Sequence, residues 1–210
     1  ADGDTGPSSI DFGSTNPSTM SIDVASGDAF EIAYDSGDFF LENMVFDLDP
    51  APSTPNPATW DDGGTGDNWT TPANWDGSPA DTAPANDGSA NVQFGSVGST
   101  VNVDSAQDVN SIEYLTGGNA FVIDSSTTAN LTVQGGITNN SNSIQFIDSS
   151  VNLVVGDTQS WDAANEAMDI AAGVDLGNNN TLTVKGVNDT TLSGNISGTD
   201  ATLSLRENAT

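Results

Sequence analysis

From Val92 to Leu205 the chain repeats one texture: a short apolar run, a few Gly, Asn, Ser or Asp residues, and another run about ten residues further on. The runs are VQF, VNV, SIEYL, FVI, LTV, SIQFI, VNLVV, MDI, VDL, LTV, TLSG and TLSL. Most alternate apolar with polar positions and are rich in β-branched residues. A period of two sets one side of each run against a core, and the polar punctuation supplies turns. The pattern predicts an all-β chain. Only Trp161 to Ala167 suggests a helix, of two turns at most.

Evenly spaced short strands make a sandwich, a barrel or a solenoid. The runs span three to five residues, shorter than most sandwich strands. Their turns vary in length, and no long crossover interrupts them. A right-handed parallel β-helix is the expected fold, with a β-sandwich of jelly-roll type as the alternative. Asn178, Asn179 and Asn180 fall between two runs, where they form either a stacked Asn ladder or a solvated turn.

Two different textures precede the repeats. Residues 1–57 read as a β-rich arm with a Pro-rich joint: Met20 to Val24, Phe30 to Tyr34 and Phe39 to Phe46 are strand-like, and Pro50, Pro52, Pro55 and Pro57 exclude helix and central strand. The second and third runs flank Asp35, Ser36, Gly37 and Asp38, which predicts a hairpin. Residues 58–91 are a Gly-, Pro- and Asp-rich loop block holding Trp60, Trp69 and Trp75. Residues 92–210 carry the repeats. Three indoles just before the first repeat strand are expected to cap the solenoid end; the competing reading is a sugar-stacking platform.

Charge narrows the functions. There are 30 Asp and Glu against 2 Lys and Arg, a formal net charge of −28. A chain whose basic residues are Lys185 and Arg206 alone has no means of neutralising phosphates, which excludes nucleic-acid binding and disfavours anionic membranes. No His and no Cys are present, so His-based triads, thiol nucleophiles, zinc sites and disulfides are excluded. Any metal would be hard and oxygen-bound, calcium ahead of magnesium. The segment WDDGGTGDNW gathers Asp61, Asp62, Asp67 and Asn68 in a flexible loop, a candidate calcium site with a solvated acidic turn as its rival. It lacks the spacing and closing Glu of an EF-hand.

Carboxylate pairs are the only catalytic currency, at Asp61, Asp62 and Asp67, at Asp47 and Asp49, and at Asp148 and Asp157. Close pairs arise by chance in so acidic a chain, and no catalytic residue is assigned. Seven Asn-x-Ser/Thr sequons, at Asn68, Asn130, Asn139, Asn179, Asn188, Asn195 and Asn208, follow from a composition rich in those residues. No apolar stretch has membrane-span length, and ADGDTGPSS reads as a mature N-terminus rather than a signal peptide.

The stretch from Ala58 to Gly95 resembles the opening of autotransporter-associated β-strand repeat proteins. The resemblance rests on Trp60, Trp69, Asn74, Trp75, Pro79 or Pro84, Asp87 and the strand Val92 to Phe94. The stretch from Gln159 to Leu205 resembles the repeat itself, through Leu182, Thr183, Val184, Gly186 and the run Leu192 to Thr199. The resemblance implies a parallel β-helix secreted or displayed at a bacterial surface.

Together these readings lead to a non-catalytic extracellular structural protein, a self-assembling subunit of a filament, sheath or adhesive layer. Its partners are further copies of itself, and calcium is the one cofactor the residues favour. The arm residues Ile22, Val24, Phe30, Ile32 and Tyr34 are the expected means of strand addition between subunits. The alternatives are a carbohydrate-binding adhesin module, with surface glycans as partners, and a polysaccharide-active β-helix enzyme.

Overall fold

A strand that alternates buried and exposed positions must find a neighbour on each side for its backbone. Here that neighbour is supplied by the next turn of the same chain. The computed structural model describes residues 57–76, 81–98 and 100–206. The arm, with Ile22, Val24, Phe30, Ile32, Tyr34, Asp47 and Asp49, lies outside these residues.

The described chain begins with β1 (Ala58–Trp60) and, after a 3-10 turn at Pro72–Asn74, the two-residue β2 (Trp75–Asp76), which pairs antiparallel with β1. The coil then winds in turns. The first holds β3 (Asn91–Phe94) and β4 (Thr100–Asn102), the second β5 (Gln107–Tyr114) and β6 (Val122–Asp124), the third β7 (Asn130–Asn139) and β8 (Gln145–Ile147). Next come β9 (Asn152–Val155), β10 (Gln159–Ala163) and β11 (Met168–Ile170), then β12 (Gly173–Asn178), β13 (Thr181–Gly186) and β14 (Thr190–Leu192). A last partial turn holds β15 (Ile196–Thr199) and β16 (Thr202–Leu205).

Every pairing except β1 with β2 is parallel and joins a strand to its counterpart one turn away. The protein is an all-β solenoid, a parallel β-helix of about five turns. Parallel ladders without hairpins rule out the jelly roll, whose strands are antiparallel.

Three ladders form its faces. One runs through the first half of β5, the first part of β7, then β9, β12 and β15. The second runs through β1, β3, the second halves of β5 and β7, then β10, β13 and β16. The third stacks β4, β6, β8, β11 and β14. β5 and β7 serve two faces each because they bend around a corner, which is why they are longer than the short runs the sequence suggests. At the β7 corner Gly136 has φ +121°, and a Cβ there would lie 2.4 Å from the Ser160 carbonyl oxygen of the next turn. Only glycine accommodates both constraints.

The core is a set of apolar columns along the axis. On the third face Val101, Ile123, Ile147, Ile170 and Leu192 share one register, at intervals of 22, 24, 23 and 22 residues. On the second face Ala58, Val92, Ile112, Ile137, Trp161, Val184 and Leu205 do the same. Trp161 therefore sits in a strand, not in the helix that its spacing suggests. Gln159, Trp161 and Ala163 are buried while Ser160 and Asp162 between them are partly exposed, so the period is two.

The outer surface solves a charge problem. With so few cations, carboxylates take amide donors from neighbouring turns. Glu113 accepts from Gln93 Nε2 at 3.1 Å on one side and from Asn140 Nδ2 at 2.8 Å on the other. Asp108 accepts from Gln134 Nε2 at 2.8 Å. Amides also bridge amides, from Asn110 to Asn91 and from Asn165 to Asn142, both at 2.8 Å. Of the three residues read as either an Asn ladder or a solvated turn, Asn180 donates to the Val155 carbonyl at 2.8 Å, and Asn179 takes a left-handed backbone with φ +61°.

Candidate assembly interface

The two ends of the solenoid differ, and the difference begins with residues 58–90. Asn74, fully buried, organises the first loop. Its Oδ1 accepts from Gly64 N at 2.9 Å, and its Nδ2 donates to the carbonyls of Gly66 and Asn68 at 2.8 and 3.0 Å. The folded loop meets all three ladders. On the second face β1 lies on β3, and β2 covers the far side of β1. On the third face Asn102 N donates to the Asp67 carbonyl at 2.8 Å, and Trp69 N donates to the Asn102 carbonyl at 2.9 Å. On the first face Gly88 N donates to the Asp108 carbonyl, while Asn86 accepts from Asp108 N and donates to the Ala106 carbonyl.

The bore behind this loop is filled by rings. Trp60, Trp69 and Trp75 are fully buried. Trp75 packs edge-on against both other indoles with centroids 5.0 Å apart, and its Nε1 donates to the Trp69 carbonyl at 2.7 Å. Phe94 continues the stack toward Tyr114 and Phe121 at 5.4 and 5.0 Å. Indoles buried on both faces leave no ring for a sugar to stack on.

The opposite end has no such cover among the described residues. β14, β15 and β16 each pair on one side only. Each apolar column ends in exposure there. Val184 is 7 % exposed, and Leu205 above it 72 %. Val174 is 2 % exposed, and Ile196 above it 38 %. Leu192 is partly exposed above the buried Ile170. Among the described residues the last turn thus leaves strand edges and apolar columns uncovered. Sequence reading placed the assembly determinants in the arm and did not single out this end. Its signal was faint: the basic residues Lys185 and Arg206 both fall in the last two turns.

Comparison of the chain with protein-family models, with curated proteins and with solved structures gives no match. Its chemistry rests on its own residues.

The acidic loop is held by its own backbone and by β4. Asp61 Oδ1 accepts from Gly63 N at 3.0 Å, Asp62 has φ +56°, and Asn68 Oδ1 accepts from Asn102 Nδ2 at 2.8 Å. Among the described residues no group of three or more acidic side chains converges as a metal site. The Asp148 and Asp157 carboxylates accept local backbone N–H groups, from Ser150 and Thr158. Among the described residues no helix is long and apolar enough to cross a membrane. Of the sequons, Asn139 is fully buried and cannot carry a glycan in the folded chain.

One carboxylate, Asp124, escaped the sequence reading. Asp124 follows Asn102 in register, and Asp148 follows Ile147 on the next turn. Burial first, then the charges of Asp148 and Asp67, raise the Asp124 carboxyl above its ordinary value. Asp148 shifts the other way, lowered by its hydrogen bonds to Ser150. A raised carboxyl is ionised at neutral pH at a cost that the unfolded chain does not bear. The cost grows as pH rises from the unfolded value and vanishes where both states are protonated. Asp124→Asn is expected to raise the melting temperature at pH 7, with the gain fading toward about pH 3, below the ordinary carboxylate pKa of about 3.9. Melting curves of both proteins across that range check the sign.

Proposed function

We propose that the protein is a non-catalytic, secreted structural subunit that assembles with copies of itself into a filament, sheath or adhesive layer. The observation that supports this reading is the solenoid itself: parallel turns stacked through backbone ladders, an architecture whose strand edges can take up further strands. Copies that each carry a net charge of −28 repel one another until that repulsion is lowered. The likeness of Ala58 to Gly95 and of Gln159 to Leu205 to autotransporter-associated repeats supports a surface location. Calcium enters as a bridge between acidic copies, with Asp61, Asp62 and Asp67 as its first candidates.

The test is light scattering of the purified chain at low ionic strength, followed by negative-stain microscopy. Assembly is expected to strengthen with sodium chloride, because screening shortens the repulsion to about 10 Å at 0.1 M. Calcium at matched ionic strength is expected to act more strongly than magnesium or sodium. Equal responses to the three salts would remove the calcium bridge and leave screening alone. Absence of any polymer under all of them would remove the assembly reading.

A further inference from the structure

We propose that a groove on the first face, floored by Gly173, binds a neutral glycan. The site goes beyond the assembly reading. It lies on the side of the solenoid, where β12 is flanked by β9 on one edge and by β15 on the other.

Gly173 is the residue that points to a ligand. At its register the neighbouring turns carry asparagine: Asn130 and Asn152 on one side, and Asn195, which precedes Ile196, on the other. A glycine inside a strand weakens it, and marks a bulge, a tight bend, or a place where a ligand or another backbone comes close. Neither a bulge nor a bend accounts for Gly173. Its pairing with Asn152 continues through Val174 with Leu153 and Asp175 with Val154 without a shift, and the irregularity of β12 lies beyond Asp175. Its backbone is outside the left-handed region, and the same corner accepts asparagine on the other turns. No neighbouring backbone crowds it either. A Cβ built there would meet Asn152 Oδ1 and the Asn195 carbonyl oxygen at 3.8 Å each, which is ordinary contact. The missing side chain leaves a groove of about 330 Å³ bordered by the Asn152 amide, a size that suits a small ligand or one unit of a longer chain.

The lining selects the ligand. Asn130, Asn152 and Asn195 offer side-chain amides that both donate and accept. Two positions further along the strands, Val154, Asp175 and Ser197 stand in register on successive turns. Gly177 N donates to Asp175 Oδ1 at 2.9 Å and holds that carboxylate in place. This set matches neighbouring sugar hydroxyls, which also donate and accept. Val154 and the bare Cα of Gly173 supply an apolar floor for the C–H face of a sugar ring. No Lys or Arg lines the groove, and the chain carries a net charge of −28, so phosphate, sulfate and uronate groups are repelled.

The test is an array of neutral and uronate oligosaccharides probed with the full chain at low ionic strength, without the salts that favour assembly. The neutral oligosaccharide retained best is then titrated calorimetrically. Neutral glycans are expected to bind and uronate oligomers to be rejected. Gly173→Asn fills the groove with the side chain of the neighbouring turns. It is expected to weaken binding by about tenfold or more, the scale of one or two lost hydrogen bonds, with no fall in melting temperature. Gly173→Ala is expected to give a smaller loss in the same direction, and keeps the site testable should the asparagine variant misfold. Asp175→Ala is expected to weaken binding, and Asp169→Asn, on the third face, to leave it unchanged. Absence of any bound neutral glycan, binding unaltered in both Gly173 variants, or preference for uronates would each overturn the proposal. Polymer formation in salt by a chain that binds no glycan would remove this site and leave the assembly reading standing. Glycan binding by a chain that never polymerises would keep the site and remove the assembly reading.

Discussion

Trp75→Ala is expected to destabilise the protein by about 3–5 kcal/mol, the cost of truncating a large buried aromatic. Three losses combine at this position. The indole is fully buried and packs on Trp60 and Trp69 at 5.0 Å each, so its removal opens a cavity between two rigid rings. Its Nε1 hydrogen bond to the Trp69 carbonyl disappears, leaving a buried acceptor unpaired. It also belongs to β2, the strand that covers the outer side of β1. In a solenoid each turn contacts its neighbours alone, so the damage starts at this end. Hydrogen exchange in Ala58–Trp60 and Asn91–Phe94 is expected to accelerate before that of β11 or β13. Trp75→Phe should recover part of the packing without the hydrogen bond. A Trp75→Ala protein with an unchanged melting temperature and unchanged exchange in β1 would show that the rings do not seal the end.

A comparably large effect is expected at Asn139, where the aromatic column stops. Trp60, Phe94, Tyr114 and Asn139 occupy one register on successive turns. The Asn139 side chain is fully buried. Its Nδ2 donates to the carbonyls of Ser143, Glu166 and Ala167 at 3.1, 3.0 and 2.9 Å. Its Oδ1 accepts from Ser141 N at 3.0 Å and from Ser141 Oγ at 2.6 Å. Gln145 extends the same network to the Asn119 carbonyl and Phe121 N. Asn139→Ala strands several buried groups, each costing about 1–3 kcal/mol, so a loss of about 3 kcal/mol or more is expected. Asn139→Asp is expected to be worse than alanine at neutral pH, because it turns an acceptor charge toward three carbonyls. Urea denaturation of the three proteins ranks them. An aspartate variant as stable as wild type would mean that the network is wet and tolerant.

Much of the architecture was legible in the residues. Alternation in runs such as Val92 to Phe94 and Asn152 to Val155 reports strands directly, because a strand's side chains alternate between core and solvent. Polar punctuation between the runs reports turns. Three tryptophans in a polar stretch report a place where large apolar surface is needed. The same local rule misled at Trp161 to Ala167, where a run of Ala and a Trp fit either period and only the pairing of β10 with β13 decides for a strand.

What the sequence could not specify is which strand lies on which. Equivalent positions on the second face recur after 20, 25, 24, 23 and 21 residues, from Val92 through Ile112, Ile137, Trp161 and Val184 to Leu205. The period drifts because corners and loops absorb extra residues at little cost, while the bore requires only that an apolar side chain arrive at each level. The packing of the indoles at the first turn and the Asn139 network are both properties of that stacking. Apolar alternation by itself determined that there would be strands with one buried side. Which side chains share a column, and that one column begins at the buried Trp60, was decided by the winding of the whole chain, since hydrogen bonds between turns join residues far apart in sequence.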